Sequence, residues 1–175
     1  MMKPLGVDLD ESNDSKTLLD SLLLVAQERW DIPPDSLMHN MNKIAFHESK
    51  LNPFQEQIGG GPGRGLYQYE IGAGEGAHTA INRLINQIGY TPDFLEGIEH
   101  SNYDVSILTP EQQSAIFVAD KLQDPTASFK GINPSDLRAL GEQWADEHWA
   151  GHDGDYVIRE KMIQKFIEDV SYFDY

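Results

Sequence analysis

One carboxylate breaks the pattern of its surroundings. Leu37, Met41, Ile44 and Glu48 fall at i, i+4, i+7 and i+11, so Glu48 continues the apolar stripe of a helix expected over about Asp35 to Lys50. It also falls at that helix's C-terminal end, where the macrodipole is negative. Burial and the dipole both disfavour the ionised form, so the expectation is a carboxyl with a raised pKa. Such a group can act as a general acid, for instance on a glycosidic oxygen. The alternative is a glutamate at a frayed helix end that turns to water, the commoner case for one helix taken alone. Ser49 beside it could hydrogen-bond a reacting group or help to end the helix. His47 points off the stripe and reads as a surface residue.

Other constellations carry less. His148 and His152 lie four apart, with Asp153 and Asp155 following, which is metal-pair spacing. Gly151 is expected to break the helix between the two histidines, so no metal site is expected. Asp153-Gly154-Asp155 is too short for a calcium loop. The stretch 59–65, Gly-Gly-Gly-Pro-Gly-Arg-Gly, lacks the Lys-Ser/Thr of a phosphate loop.

The elements that must position Glu48 read as mainly helical. Leu18, Leu19, Leu22, Val25, Ala26 and Trp30 recur at helical spacing between Ser15 and Trp30, and Pro33-Pro34 ends that run. Asn52-Pro53 is expected to stop the Glu48 helix. The glycine-rich 59–65 stretch reads as a loop. Leu66 to Ile71 alternates weakly and suits a hairpin arm. A third helix is expected from about Ala77 to Ile88, followed by an irregular segment over 89–108. Thr109-Pro110-Glu111-Gln112 carries a capping-box start for a helix to about Gln123. Asn133-Pro134-Ser135-Asp136 starts another, through Leu137, Leu140 and Trp144 to about Trp149. A last helix runs from about Asp155 to Ser171, with Ile163, Phe166, Ile167 and Val170 inward. The expected fold is therefore mainly α (α+β), with about six helices and a small β-hairpin near residues 64–71. Residues 1–14 read as a flexible acidic tail and 15–175 as one domain.

Composition limits the partners. The net charge is −16, which disfavours nucleic acid and anionic membrane surfaces. An anionic polymer would have to be held by a shaped groove rather than by loose attraction. There is no cysteine, so no disulfide framework or Cys-ligated zinc is possible. The longest apolar run, Leu22 to Ala26, is too short to span a bilayer. Lys3 is followed by Pro4, Asp8, Asp10 and Glu11 with no apolar stretch, so the expectation is synthesis in the cytoplasm without a signal peptide.

Two motifs then carry a resemblance. Ile44-Ala45-Phe46-His47-Glu48-Ser49-Lys50-Leu51-Asn52-Pro53 resembles the helix-end signature of the soluble lytic transglycosylase and goose-type lysozyme superfamily, a Glu-Ser pair followed by Asn-Pro. Gly63-Arg64-Gly65-Leu66-Tyr67-Gln68-Tyr69 resembles that superfamily's Gly-Leu-Met-Gln segment, a short β-element facing the catalytic Glu. The spacing between the two motifs is also typical. A third motif, Tyr-Asn-Ala-Gly in the superfamily, reads His148-Trp149-Ala150-Gly151 here and keeps only Ala-Gly. The resemblance covers roughly residues 37–151. Gly-Leu-Tyr-Gln-Tyr-Glu looks more like phage cell-wall-degrading proteins than bacterial housekeeping enzymes.

The resemblance implies a lysozyme-like domain that cuts peptidoglycan glycan strands between N-acetylmuramic acid and N-acetylglucosamine, without a cofactor. It implies Glu48 as general acid and base. A transglycosylase would close a 1,6-anhydro ring, whereas a hydrolase would need a second carboxylate to activate water. Glu70 is the candidate for that second role, with Glu75 behind it. An ion pair of Glu70 with Arg64 or Arg83 is the structural alternative. Gly65 with Leu66 would bring backbone close to a sugar, and Gln68 would meet an N-acetyl group. Tyr67, Tyr69, Trp144 and Trp149 would offer stacking faces, with His148 beside them. Trp144 lies on its helix's apolar stripe and is expected in the core. The implied setting is the cell wall, reached as a phage lysin or with a virion and its other proteins. A non-catalytic virion adaptor that keeps the fold is the competing reading, motivated by the altered third motif.

Overall fold

The computed structural model describes residues 15–173, and the acidic tail expected over 1–14 lies outside them. Among the described residues there are six α-helices: α1 Ser15–Trp30, α2 Pro34–Ser49, α3 Gly76–Ile88, α4 Pro110–Gln123, α5 Leu137–Trp144 and α6 Tyr156–Val170. One antiparallel hairpin joins β1 Gly63–Arg64 to β2 Tyr69–Glu70, with Gly63 opposite Glu70 and Arg64 opposite Tyr69. The fold is mainly α with a small sheet, and no described helix is long and apolar enough to cross a membrane.

Helix α4 is the axis. Every residue from Gln113 to Leu122 is buried, so this helix is walled in on all sides, as a helix apolar over most of its circumference should be. Its start carries both halves of the capping box, Thr109 with Gln112, a motif worth ~1 kcal/mol. At its other end, the Arg29 guanidinium of α1 donates to the carbonyl of Leu122. That bond satisfies an end carbonyl that the helix itself leaves free. Helices α1 and α3 pack along α4. Trp30 closes the bottom of the core against Phe129, with ring centroids 5.4 Å apart.

Helix α2 ends at Ser49. Lys50 takes a left-handed conformation (φ 55°), and its N–H returns to the carbonyl of Phe46. The stop therefore comes two residues before Asn52-Pro53, and those residues shape the following turn: the Asn52 side chain accepts from the N–H of Phe54. The expectation that 59–65 holds no regular element is corrected, because β1 lies inside it. Gln57 N–H donates to Gly63 O and Gly65 N–H to Gln55 O, so the stretch 55–57 gives β1 a second edge partner. Residues 66–68 form the turn between the strands rather than a strand arm. The 89–108 segment, expected to be irregular, is wound into three short 3₁₀ turns, Asp93–Leu95, Ile98–Ser101 and Val105–Ile107.

The end of α5 has its own geometry. Ala145–Trp149 form a π-helical turn, closed by Ala150 at φ 50°. The helix thus stops on an alanine, one residue before Gly151. Gly151 is required for another reason: a Cβ there would sit 2.6 Å from Cε2 of Trp149, whose indole lies across it. Single π-turns of this kind collect at functional sites.

Candidate active site

Three elements converge on one groove of about 700 Å³, within the ~300–1,000 Å³ range of ligand pockets. The end of α2 supplies Glu48, the hairpin supplies Gln68 to Glu70, and the π-turn after α5 supplies His148 and Trp149. Helix α4 forms part of the wall through Asp120 and Lys121.

Glu48 is partly buried, and loss of water raises its carboxyl pKa to about 7. Two contacts work against that rise: the Trp144 indole N–H donates to Glu48 Oε1 at 2.6 Å, and the Lys121 ammonium favours the carboxylate. Burial wins, because solvation lost by an ion in a low-dielectric wall exceeds one hydrogen bond and one partly screened charge. Trp144 is in the core, as its stripe position implies, at 1% exposure. It also serves the site, because its polar edge faces Glu48.

The hairpin turn is held from behind by one buried side chain. Gln113 Oε1 accepts from Leu66 N–H at 2.8 Å, while its amide nitrogen donates to the carbonyls of Pro53 and Leu108, both at 3.0 Å. Gly65 sits at φ +79°, and a Cβ there would come within 2.3 Å of Gln113 Oε1. The close approach at Gly65 is therefore to Gln113, not to a sugar, and Leu66 is a buried anchor. Ser49 is likewise structural: its buried hydroxyl lies 2.9 Å from both the Ala45 and Leu66 carbonyls. This ties the end of α2 to the turn and leaves no donor for a reacting group.

The two tyrosines are corrected as well. Tyr67 is buried, stacked on Phe117 with centroids 4.4 Å apart, and its hydroxyl meets Ser114 at 3.0 Å. Tyr69 is buried and donates to Asp120 Oδ2 at 2.7 Å. Burial pushes both phenols up, and the neighbouring Asp120 charge adds to this at Tyr69. Neither ring offers an open stacking face. Gln68 lines the groove in a left-handed turn (φ 54°), its amide nitrogen donating to the carbonyls of Gly65 and Gln55.

His148 does not reach out to a ligand. Its Nε2 lies 2.6 Å from the Tyr67 carbonyl, which can only accept, so Nε2 carries the proton. Burial among the rings of Tyr67, Tyr69 and Phe117 pushes its pKa down to about 3, with Lys121 adding to the effect. His152 pairs instead with Asp146 at 3.1 Å, so the two histidines serve different partners. Trp149 stacks on Trp144, with centroids 5.6 Å apart and planes 15° apart, and remains partly exposed on the groove. Glu70 is exposed on β2 at the groove's edge. The expected partners are engaged elsewhere: Arg64 donates to the carbonyls of Gly61 and Gly63, and Arg83 to Asp120 at 2.8 Å.

Three groups escaped the sequence reading. Asp120 is a buried carboxylate held by Tyr69, Arg83 and Lys121. Lys121 is 3% exposed, and its ammonium donates to the Glu147 carbonyl at 2.7 Å. The available signal was an Asp-Lys pair inside the otherwise apolar run Ala115 to Leu122. The third is His47, expected on the surface. Helices α5 and α6 cover it: Asp169 Oδ2 lies 2.8 Å from Nδ1, and Trp144 and Phe166 pack on the ring at 4.5 and 5.0 Å.

Compared with protein families, with curated proteins and with solved structures, the chain has no match. The chemistry of the groove is therefore the ground for a functional reading.

Proposed function

We propose that this protein is a peptidoglycan-cleaving glycosidase of lytic transglycosylase or lysozyme type, with a lysozyme-like domain and Glu48 as its general acid. The observation that carries the reading is a carboxyl with a pKa of about 7 at the wall of an open groove. Burial keeps the proton on Glu48 until a glycosidic oxygen takes it. Once it has left, the Trp144 N–H and the Lys121 ammonium stabilise the carboxylate, so the group can hold its charge until it is reprotonated. The net charge of −16 favours binding by shape, with Trp149 a partly exposed aromatic side chain lining the groove.

Release of soluble muropeptides from purified peptidoglycan tests the proposal, with E48Q beside the parent. Mass spectrometry of the ends then separates anhydro products from reducing ones. Folded protein that releases nothing at any pH or salt refutes it.

A second reading is a virion structural protein of the same fold without activity. It is favoured by the way Tyr67, Tyr69 and His148 spend their polar atoms inside the protein. Under that reading E48Q changes no activity.

A further inference from the structure

His47 stands next to the acid, and its polar atoms are arranged unequally. Nδ1 faces Asp169 Oδ2 at 2.8 Å, and Lys50 holds the other carboxylate oxygen at 2.6 Å. An ionised carboxylate only accepts, so Nδ1 carries the hydrogen and Nε2 keeps a lone pair. Among the described residues Nε2 has no hydrogen-bond partner. The ring is clamped edge-on to Trp144 at 4.5 Å and against Phe166 at 5.0 Å, so it cannot swing away. His47, Glu48 and Trp144 line the same groove. The indole thus touches the imidazole with one part and Glu48 with its N–H.

We propose that His47, oriented by Asp169, is the base that takes the second proton of the reaction at Nε2. This rests on the glycosidase reading of the groove. Glu48 gives its proton to the glycosidic oxygen as the C1–O bond breaks and the leaving sugar departs as an alcohol. A hydroxyl oxygen, from water or from the sugar's own 6-hydroxyl, bonds to C1, and its proton moves to Nε2. The imidazolium is held by the Asp169 carboxylate until its proton is lost to solvent and Glu48 is reprotonated. No electrons change hands. An Asp-His pair of this geometry is a general way to hold an imidazole in its basic tautomer.

The groups facing His47 set the sign of its pH response. Asp169 from α6 raises its proton affinity, while Lys165 from α6 and Lys50 at the end of α2 lower it. Burial is the largest influence and holds the ring neutral near pH 7. Glu48 is its neighbour on α2, and Trp144 from α5 brings no charge.

The test is muropeptide release against pH for the parent, H47A, H47Q, D169N and E70Q, with melting temperatures for each. Loss of 10²-fold or more in kcat is expected for H47A and H47Q, with KM little changed. Added imidazole should restore part of the H47A activity in proportion to its free base, which a merely structural role would not produce. D169N should move the acidic limb of the profile to lower pH, because His47 then holds its proton less tightly. D169N alters a partly exposed residue, so it reports even where H47Q folds poorly. The ends released identify the hydroxyl: anhydro for the sugar's own, reducing for water. Full kcat in H47A, or loss of turnover in E70Q with H47A undiminished, overturns the assignment while leaving the glycosidase reading in place. A parent protein that releases nothing removes both.

Discussion

The indole N–H of Trp144 donates to Glu48 Oε1 across 2.6 Å, joining residues 96 positions apart. Among the described residues it is the one hydrogen bond that acts directly on the carboxyl's proton affinity, and it opposes burial. The pKa of about 7 is the balance of burial against this bond and the Lys121 charge.

Replacing Trp144 with phenylalanine removes the donor and keeps most of the ring. The carboxylate loses its hydrogen bond, so the Glu48 pKa should rise above about 7, read by carbon-13 NMR of the labelled carboxyl. The alkaline limb of activity should move up with it. A fall would mean that water enters beside Glu48 and that desolvation is not the controlling influence. The missing ring volume should also lower stability by ~1–3 kcal/mol.

The Glu48 carboxyl makes folding depend on pH in a defined direction. Its folded pKa lies above the unfolded value of 4.5, so the folded state binds the extra proton. The associated stability is fully present below pH 4.5 and is lost as pH rises through about 7, on the order of ~3 kcal/mol. E48Q should abolish muropeptide release and remove that slope from chemical denaturation curves. At pH 8 the variant should be at least as stable as the parent. A parent slope unchanged by E48Q would mean that the carboxyl ionises as freely in the fold as outside it.

His148 acts in the opposite sense. Its folded pKa of about 3 lies below the free value of 6.5. Stability tied to the neutral ring is present above pH 6.5 and is lost as pH falls toward 3, because the unfolded chain takes a proton that the folded one refuses. The loss is on the order of ~4 kcal/mol by pH 3. H148Q keeps a donor for the Tyr67 carbonyl and should resist acid unfolding better than the parent, measured as urea midpoints at pH 4 against pH 7.

Gly65→Ala asks for a Cβ 2.3 Å from Gln113 Oε1 at φ +79°. Backbone strain and the displaced Gln113 amide together should lower stability by ~2–4 kcal/mol, visible in denaturant titration. Wild-type stability in this variant would show that Gln113 is free to move and does not hold the turn.

Ser49→Ala separates structure from chemistry. The hydroxyl's partners are two backbone carbonyls, so the variant should lose ~1 kcal/mol of stability while kcat changes by no more than a few-fold. A hundredfold loss of kcat at unchanged stability would place Ser49 against substrate after all.

Helices were legible in the sequence because the signals for them are local. The capping box at Thr109 and Gln112 forms as its spacing implies, and the stripe Leu37, Met41, Ile44 is buried with Glu48 next on it. The helix stops were less legible, since Lys50 and Ala150 adopt left-handed caps without glycine. The first strand was less legible because 59–65 reads as pure loop, and β1 is held by pairing with β2 and by backbone bonds to Gln55 and Gln57 that no side-chain pattern announces.

Glu48 could be singled out because periodicity within one helix says which residue breaks an apolar face. Whatever depends on a second element could not be read that way. Trp144 as the partner of Glu48, Asp169 as the partner of His47 and Gln113 behind Gly65 are all meetings of distant segments. Tyr67 and Tyr69 illustrate the limit: composition says that a tyrosine has a face and a hydroxyl, and only packing against Phe117, Ser114 and Asp120 decides that both are used up inside. A side chain's chemistry is a property of the residue, but its proton affinity and its availability to a substrate depend on which neighbours exclude water from it. Those neighbours are chosen by the tertiary fold.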